Sequence, residues 1–170
     1  MPGWYDRHIV PHIIRLGCGC TMLAEERRRV VPQARGRVLE FGMFNQKYAG
    51  RKYRYAYSSL AKPGWFLFNG YVKHDLQTGQ SWEYKLGADQ YGSEAPFAPR
   101  IGAKDEDDGY LVSFVIDEAK GTSECVLFDA KRITDGPVCR LGLPHKIMSG
   151  THSCWASGED IRSGLQSLPF

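Results

Sequence analysis

From residue 53 onward, apolar and polar residues alternate with the period of two that is typical of β-strands. Tyr53, Tyr55 and Tyr57 are separated by Arg54 and Ala56, and short apolar runs follow at regular intervals with Gly-containing polar turns between them. The runs predict further strands at residues 65–68, 72–76, 81–86, 94–99, 110–117, 125–129 and 137–143. The last four strands fit one antiparallel propeller blade, and the hairpin formed by residues 72–86 fits the outer part of the preceding blade.

The first 42 residues have a helical pattern instead. Apolar residues at helical spacing predict a helix at 4–16, and Thr21 is a candidate N-cap for a second helix at 21–31. A strand-like run, residues 37–42, then ends in a glycine. This order resembles the start of class I S-adenosylmethionine methyltransferases. The next two glycines of that family's cofactor loop are missing, because residues 43–46 are Met, Phe, Asn and Gln.

These patterns predict a mostly β chain: a partial β-propeller of one to two antiparallel blades with a short α-helical N-terminal extension. The predicted division is a methyltransferase-like segment at 1–42, a junction at 43–52, a propeller segment at 53–155 and a C-terminal tail at 156–170. A complete seven-bladed propeller is excluded, since the chain has 170 residues and each blade is a four-stranded sheet.

Composition and charge restrict the kinds of binding partner and the cellular location that the sequence predicts. The net charge is only +3, a weak electrostatic signal, so no nucleic-acid partner is predicted. The sequence contains no run of 18 apolar residues, and charged residues and histidines interrupt the N-terminus, so neither a membrane span nor a signal peptide is predicted. The five cysteines are odd in number and form no Cys-x-x-Cys pair, which favours reduced thiols in a cytoplasmic protein.

Three segments of the C-terminal half carry a second resemblance. Residues 92–100 read GSEAPFAPR, residues 106–113 read EDDGYLVS, and residues 150–155 read GTHSCW. In this order and spacing they resemble the C-terminal part of the carotenoid cleavage oxygenases. Members of that family hold non-haem Fe(II) with four histidines on a seven-bladed propeller. The resemblance implies that His152 is the last iron ligand, and that Glu94 is the carboxylate that supports a ligating imidazole. The segments with the other three histidines are absent from this sequence.

The resemblance implies a function: oxidative cleavage of a carbon–carbon double bond in a carotenoid, apocarotenoid or stilbene-like substrate, with Fe(II) as the cofactor. It further implies an apolar polyene or stilbene-like ligand and peripheral membrane contact for substrate uptake. Two alternatives stay open. One is a truncated, non-catalytic remnant that associates through open sheet edges. The other is an S-adenosylmethionine-dependent methyltransferase fragment.

The remaining candidates favour ordinary structural roles. His74 lies in a predicted strand and His145 follows a proline in a loop, and neither matches a ligand segment. His8 and His12 are four residues apart but lack the glutamate of a His-Glu-x-x-His site. The acidic run at 105–108 lacks calcium-loop spacing, so a solvated turn closed by Gly109 is expected.

Overall fold

The computed structural model describes residues 37–148 and 150–166. The helices predicted at 4–16 and 21–31, together with His8 and His12, lie outside the described residues. Short 3₁₀ helices occur at Gln46–Tyr48 and Ile133–Asp135. In chain order the strands and the helix are β1 (Leu39–Met43), β2 (Tyr55–Ala61), β3 (Phe68–Asp75), β4 (Ser81–Lys85), β5 (Gln90–Gly92), β6 (Phe97–Pro99), β7 (Gly109–Asp117), β8 (Thr122–Asp129), β9 (Pro137–Gly142) and α1 (Gly158–Gln166).

The described strands form two antiparallel meanders that share one sheet. β1 to β4 pair in sequence as the first meander, and β6 to β9 pair in sequence as the second meander. The short strand β5 joins them, because it pairs with β3 on one side and with β7 on the other. Within the described residues the sheet order runs from β1 to β9 without closing. The prediction of a mostly β chain with one to two antiparallel blades is confirmed.

One strand prediction is wrong. Residues 65–68 were expected to form a strand of their own, but β3 begins only at Phe68 and continues unbroken to Asp75. The preceding residues close a turn at Pro63–Gly64, in which the Lys62 N–H donates to the Leu67 carbonyl at 2.7 Å. Gly64 has φ +79°, a conformation that glycine adopts without strain. The aromatic residues at 65–68 fit the pattern of a strand, but the backbone of residues 65–67 belongs to the turn instead.

The run at 37–42 does contain a strand, and the strand belongs to the propeller sheet. β1 pairs antiparallel with β2, with Leu39 opposite Leu60 and Met43 opposite Tyr57. A parallel, doubly wound sheet would be needed for a methyltransferase cofactor site, whereas every strand pair of the described residues is antiparallel. β1 crosses the first predicted domain boundary, while the division as a whole stays a prediction.

The main core lies between the two meanders. Tyr57 and Tyr71 of the first meander pack in one buried cluster with Leu111, Val126 and Phe128 of the second. The Tyr71 and Phe128 ring centroids are 5.2 Å apart in a tilted arrangement that favours aromatic pairs. Each fully buried side chain of this size contributes roughly 1.5–3 kcal/mol through removal of apolar surface from water. The meanders are therefore fixed relative to each other.

The acidic run at 105–108 does more than form a solvated turn. The Glu106 carboxylate accepts hydrogen bonds from the backbone N–H groups of Arg54 at 2.7 Å and Tyr55 at 2.6 Å, where β2 begins. Asp107 pairs with Lys73 of β3 at 2.6 Å. Both partners lie in the first meander, so the turn ties the second meander to the first. The expectation of a merely solvated turn was wrong, because these partners are 34 to 52 residues away in sequence and leave no local pattern.

Candidate metal-ligand site

Glu94 lies in the irregular loop between β5 and β6, and it is buried with 5% exposure. The loop starts at Gly92, where a Cβ atom would lie only 1.9 Å from the Tyr71 hydroxyl oxygen. Glycine at this position lets the Tyr71 side chain pass the β5 backbone and reach the second meander. The close approach of Tyr71 to Gly92 therefore determines the path of the loop that carries Glu94.

A chain of buried hydroxyls supports this loop. Tyr71 Oη and Ser113 Oγ lie 2.5 Å apart, and Ser113 Oγ and Ser93 Oγ lie 3.1 Å apart. Ser93 Oγ donates to the Glu94 carbonyl at 2.8 Å. Burial raises the pKa of the Tyr71 phenol, although its hydrogen bond with Ser113 opposes the change. The hydroxyls therefore stay protonated and connect β3, β7 and the loop in one network.

His152 lies in the irregular segment that follows the second meander, next to Glu94. The carboxylate oxygen Glu94 Oε2 is 3.6 Å from His152 Nδ1, and it accepts a hydrogen bond from the Ser153 N–H at 2.5 Å. The 3.6 Å separation is longer than a hydrogen bond. The His152 side chain is 79% exposed. The structure thus brings the two predicted site residues together, one buried and one at the surface.

Helix α1 begins just after this segment with a reciprocal cap. Ser157 Oγ accepts from the Asp160 N–H at 3.0 Å, and Asp160 Oδ2 accepts from the Ser157 N–H at 3.0 Å. Such a pair satisfies two N–H groups at the start of a helix. The helix start therefore defines the end of the segment that carries His152.

Phe41 is the site residue that the sequence did not reveal. Its ring centroid is 5.1 Å from that of His152, with an interplanar angle of 73°. Phe66 and Phe68 pack against the same phenyl ring at centroid distances of 6.0 and 4.8 Å. A cluster of aromatic residues could be expected from the sequence, but the contact joins residues 111 positions apart. No pattern in a single sequence indicates it.

The other histidines do not join the site. His74 is partly buried on β3, where it pairs across the sheet with Ala56 and Ser81. His145 is exposed in the loop after β9. In residues 37–148 and 150–166, no three His, Cys, Asp or Glu side chains are grouped so that they could hold a metal ion together.

The donor set fits one corner of an iron site. A carboxylate facing one imidazole nitrogen favours the proton on that nitrogen and leaves the other nitrogen as the metal ligand. Here Glu94 faces Nδ1, so a metal would bind His152 through Nε2. Selective metal binding needs several convergent ligands. Among the described residues, only the His152 imidazole lies beside Glu94, so they fit one ligand position of a metal site and not a complete site.

One cavity lined by described residues lies elsewhere. It has a volume of 480 Å³ and lies where β3 ends, away from Phe68 and His152. Its lining includes Arg54, Lys73, Asp75 and Asp107, which are paired with one another. The cavity therefore belongs to the contact between the meanders.

The described residues form an open pair of antiparallel meanders with a histidine beside a buried carboxylate, and this arrangement defines a partial β-propeller. Residues 18–157 match the family model RPE65, retinal pigment epithelial membrane protein. The chain belongs to this family, the RPE65 and carotenoid cleavage oxygenase family. The match begins inside the segment 1–42.

Two curated relatives illustrate the likeness. The chain is 35% identical over 138 residues to the chloroplastic 9-cis-epoxycarotenoid dioxygenase NCED6 of Arabidopsis thaliana, which covers 81% of this chain and 23% of that protein. It is 36% identical over 141 residues to carotenoid 9,10(9',10')-cleavage dioxygenase 1 of Arabidopsis thaliana, at 73% and 25% coverage. The chain spans about a quarter of the length of these relatives.

Solved structures agree with the fold. The cobalt-substituted apocarotenoid oxygenase of Synechocystis matches with a TM-score of 0.66 and 31% identity, over 71% of this chain and 26% of that one. A lignostilbene dioxygenase of Pseudomonas brassicacearum matches with a TM-score of 0.67 and 28% identity, over 72% and 28%. The predicted partial propeller is confirmed.

Proposed function

We propose that this chain supplies the last iron-ligand segment for oxidative cleavage of a carbon–carbon double bond in a carotenoid, apocarotenoid or stilbene-like substrate. His152 is the ligand through Nε2, and the Glu94 carboxylate faces the ring from the Nδ1 side. The observation that carries the proposal is the buried Glu94 carboxylate, which faces Nδ1 of an exposed imidazole at 3.6 Å. Family membership supplies the reaction class.

Ferrous iron, when bound, supplies the activation of dioxygen. The part of this chain is to present the His152 imidazole with Nε2 directed away from the Glu94 carboxylate. The Ser153 N–H holds the Glu94 carboxylate in place at 2.5 Å, and the buried hydroxyls hold the loop behind it. An orienting carboxylate of this kind typically changes metal affinity or activity by roughly 10–100-fold. The remaining ligands have to come from residues outside the described part.

The substrate surface in this proposal is apolar. Phe41 borders His152, and Trp65 and Phe66 beside it are 63% and 56% exposed. Exposed aromatic residues suit an apolar polyene or a stilbene-like molecule. They also suit peripheral contact with a membrane surface from which such a substrate is taken. The proposed location is the cytoplasm. Nothing among the described helices is long and apolar enough to pass through a bilayer.

A non-catalytic remnant is the second candidate function. The observation in its favour is that, among the described residues, His152 is not grouped with further side chains that could hold a metal ion together with it. Such a chain would associate through the open edges at β1 and β9. Iron dependence on His152 separates the two functions.

The first experiment uses the whole chain labelled with ¹⁵N at histidine. Two-bond ¹⁵N–¹H spectra at neutral pH should show His152 mainly with its proton on Nδ1, because Glu94 faces that nitrogen. In Glu94→Gln the tautomer preference should be lost. His145, exposed in the same protein, is the internal control and should be unchanged.

The second experiment supplies the missing ligands. The chain is co-expressed with the Synechocystis apocarotenoid oxygenase from which the matching quarter is deleted. The complex should contain Fe(II) and cleave apocarotenoid, and His152→Ala should abolish both, whereas His145→Ala should not. A complex that keeps iron and cleavage without His152 would contradict the proposal. A complex that forms without iron would favour the remnant.

A further inference from the structure

Phe41 has a backbone conformation that its side chain opposes. Its φ is +54°, and among the described residues it is the one non-glycine residue with positive φ. For a bulky residue this left-handed region is a genuine outlier. Gly42 stands next to it and would adopt the conformation without strain. The strain on Phe41 is therefore not explained by the need for a turn.

The outlier lies in an irregular stretch of β1. The register with β2 shifts between Glu40 and Met43, so the strand carries a bulge at Phe41. Bulges re-aim a side chain away from the regular alternation of a strand. Here the bulge directs the Phe41 ring against Phe68 and the edge of the His152 imidazole.

We infer that Phe41 is a positioning residue for His152, and that the bulge in β1 exists to aim its ring. The imidazole is 79% exposed, so few contacts restrict its rotation. Glu94 lies on its Nδ1 side at 3.6 Å, and Phe41 contacts it at a centroid distance of 5.1 Å. Strained residues cluster at functional sites, where the strain places a group before a ligand binds. The purpose of the ordered imidazole rests on the proposed function, whereas the contact itself does not.

The test is NMR on the full chain with labelled histidine and phenylalanine. In the native protein, cross-relaxation should connect the two rings, and the His152 χ1-dependent couplings should report one rotamer. Phe41→Leu should lose the ring contact, and the His152 couplings should become averaged. Phe41→Tyr keeps the ring and should restore the single rotamer. Phe41→Gly removes the strain together with the ring, and it should leave His152 averaged.

Phe66→Leu is the matched control, because Phe66 packs against Phe41 and has no contact with His152 among those described. It should leave the His152 couplings unchanged. The amide spectrum of β8 shows in every variant that the sheet is still folded. If His152 keeps one rotamer in Phe41→Leu, or loses it equally in Phe66→Leu, the inference is wrong. A His152 ordered by Phe41 but dispensable for iron would overturn the proposed function alone.

Discussion

The two ends of β3 make contacts of opposite kinds. At the C-terminal end, Lys73 and Asp75 form ion pairs with Asp107 and Arg54, and we refer to these four residues as the charged end. At the N-terminal end, Phe68 packs with Phe41 and Phe66, and Phe41 contacts His152. We refer to these four residues, together with Trp65, which precedes Phe66 in the chain, as the aromatic end. The charged groups of the first end are paired within the chain. The second end exposes the side chains of Trp65, Phe66 and His152 to solvent.

At the charged end, the Lys73–Asp107 pair is largely buried and Arg54 is partly exposed. The Lys73 ammonium is 4% exposed, donates to Asp107 at 2.6 Å and to the Lys131 carbonyl at 3.3 Å, and lies 4.3 Å from the Tyr55 ring centroid. Two hydrogen bonds and a cation–π contact therefore surround the ammonium group. A buried charge with all partners in place is costly to disturb. This end therefore fixes the two meanders relative to each other.

The aromatic end is open by comparison. Trp65, Phe66 and His152 are all more than half exposed, whereas Phe68 behind them is 1% exposed. Large exposed apolar residues next to one another mark interaction sites rather than core. The comparison teaches that this chain separates its structural contacts from its proposed chemistry along a single strand.

The largest expected effect is at the charged end. Asp107→Ala would leave the Lys73 ammonium buried without its counter-charge, and it should lower the free energy of unfolding by about 3–5 kcal/mol. Urea unfolding followed by tryptophan fluorescence measures the change. The double variant Lys73→Met/Asp107→Leu replaces the pair by apolar groups and should recover most of the loss.

The matched control is Asp105→Ala in the same turn. Asp105 pairs with Lys131 at the same 2.6 Å, but both side chains are exposed, at 67% and 40%. Solvent screens such a pair, so its loss should change the stability far less. Equal effects of the two variants would mean that burial does not distinguish the charged end.

An intermediate effect concerns the pH dependence at the end of β3. Burial, with a smaller contribution from the Arg37 cation, lowers the pKa of His74 to about 4 from 6.5. The unfolded chain then binds more protons than the folded one between these values, so stability is full above pH 6.5 and falls as the pH drops toward 4. The shift corresponds to about 3 kcal/mol. Urea unfolding across this range should show the decline, and His74→Gln should remove it.

Asp75 acts in a separate and lower pH window. Burial works to raise the pKa of its carboxyl, but the Arg54 guanidinium and the backbone N–H groups of Thr78 and Gln77 outweigh it and hold the pKa at about 2. Its contribution to stability is therefore present above pH 3.8 and is lost as the pH falls toward 2. Asp75→Asn should remove only this lower part. If His74→Gln instead flattened the curve below pH 3.8, the assignment of the windows would be wrong.

Much of the fold followed from the sequence, because strands with period two leave a local signal. The hairpin of β3 and β4, with Gly79 at φ +74° in its turn, and β7, β8 and β9 were predicted close to their observed positions. The strand predicted at 94–99 is shorter than expected, because only Phe97–Pro99 forms β6. Glu94 and His152 were singled out by the family resemblance and not by any local pattern, and their proximity to each other was not predicted. Their roles in metal binding stay predictions.

What the sequence did not show depends on contacts between distant segments. Glu106 accepts from Arg54 and Tyr55 across more than 50 residues, and a run of acids gives no hint of such partners. The left-handed Phe41 could not be predicted, since phenylalanine disfavours that conformation and only tertiary packing imposes it. The strand predicted at 65–68 was wrong because hydrogen bonds of the turn outweighed the apolar pattern of these residues.

The smallest expected effect is at the aromatic end. Trp65 is 63% exposed, so Trp65→Ser removes little buried surface and should change the free energy of unfolding by no more than about 0.5 kcal/mol. Phe68→Ala, three residues along, removes a 1% exposed ring and should cost about 3–5 kcal/mol. Urea unfolding of both variants measures this contrast, and sedimentation velocity of Trp65→Ser should show less self-association than the native chain. A large loss of stability in Trp65→Ser would place this ring in the core, and the open aromatic end would then have no physical basis.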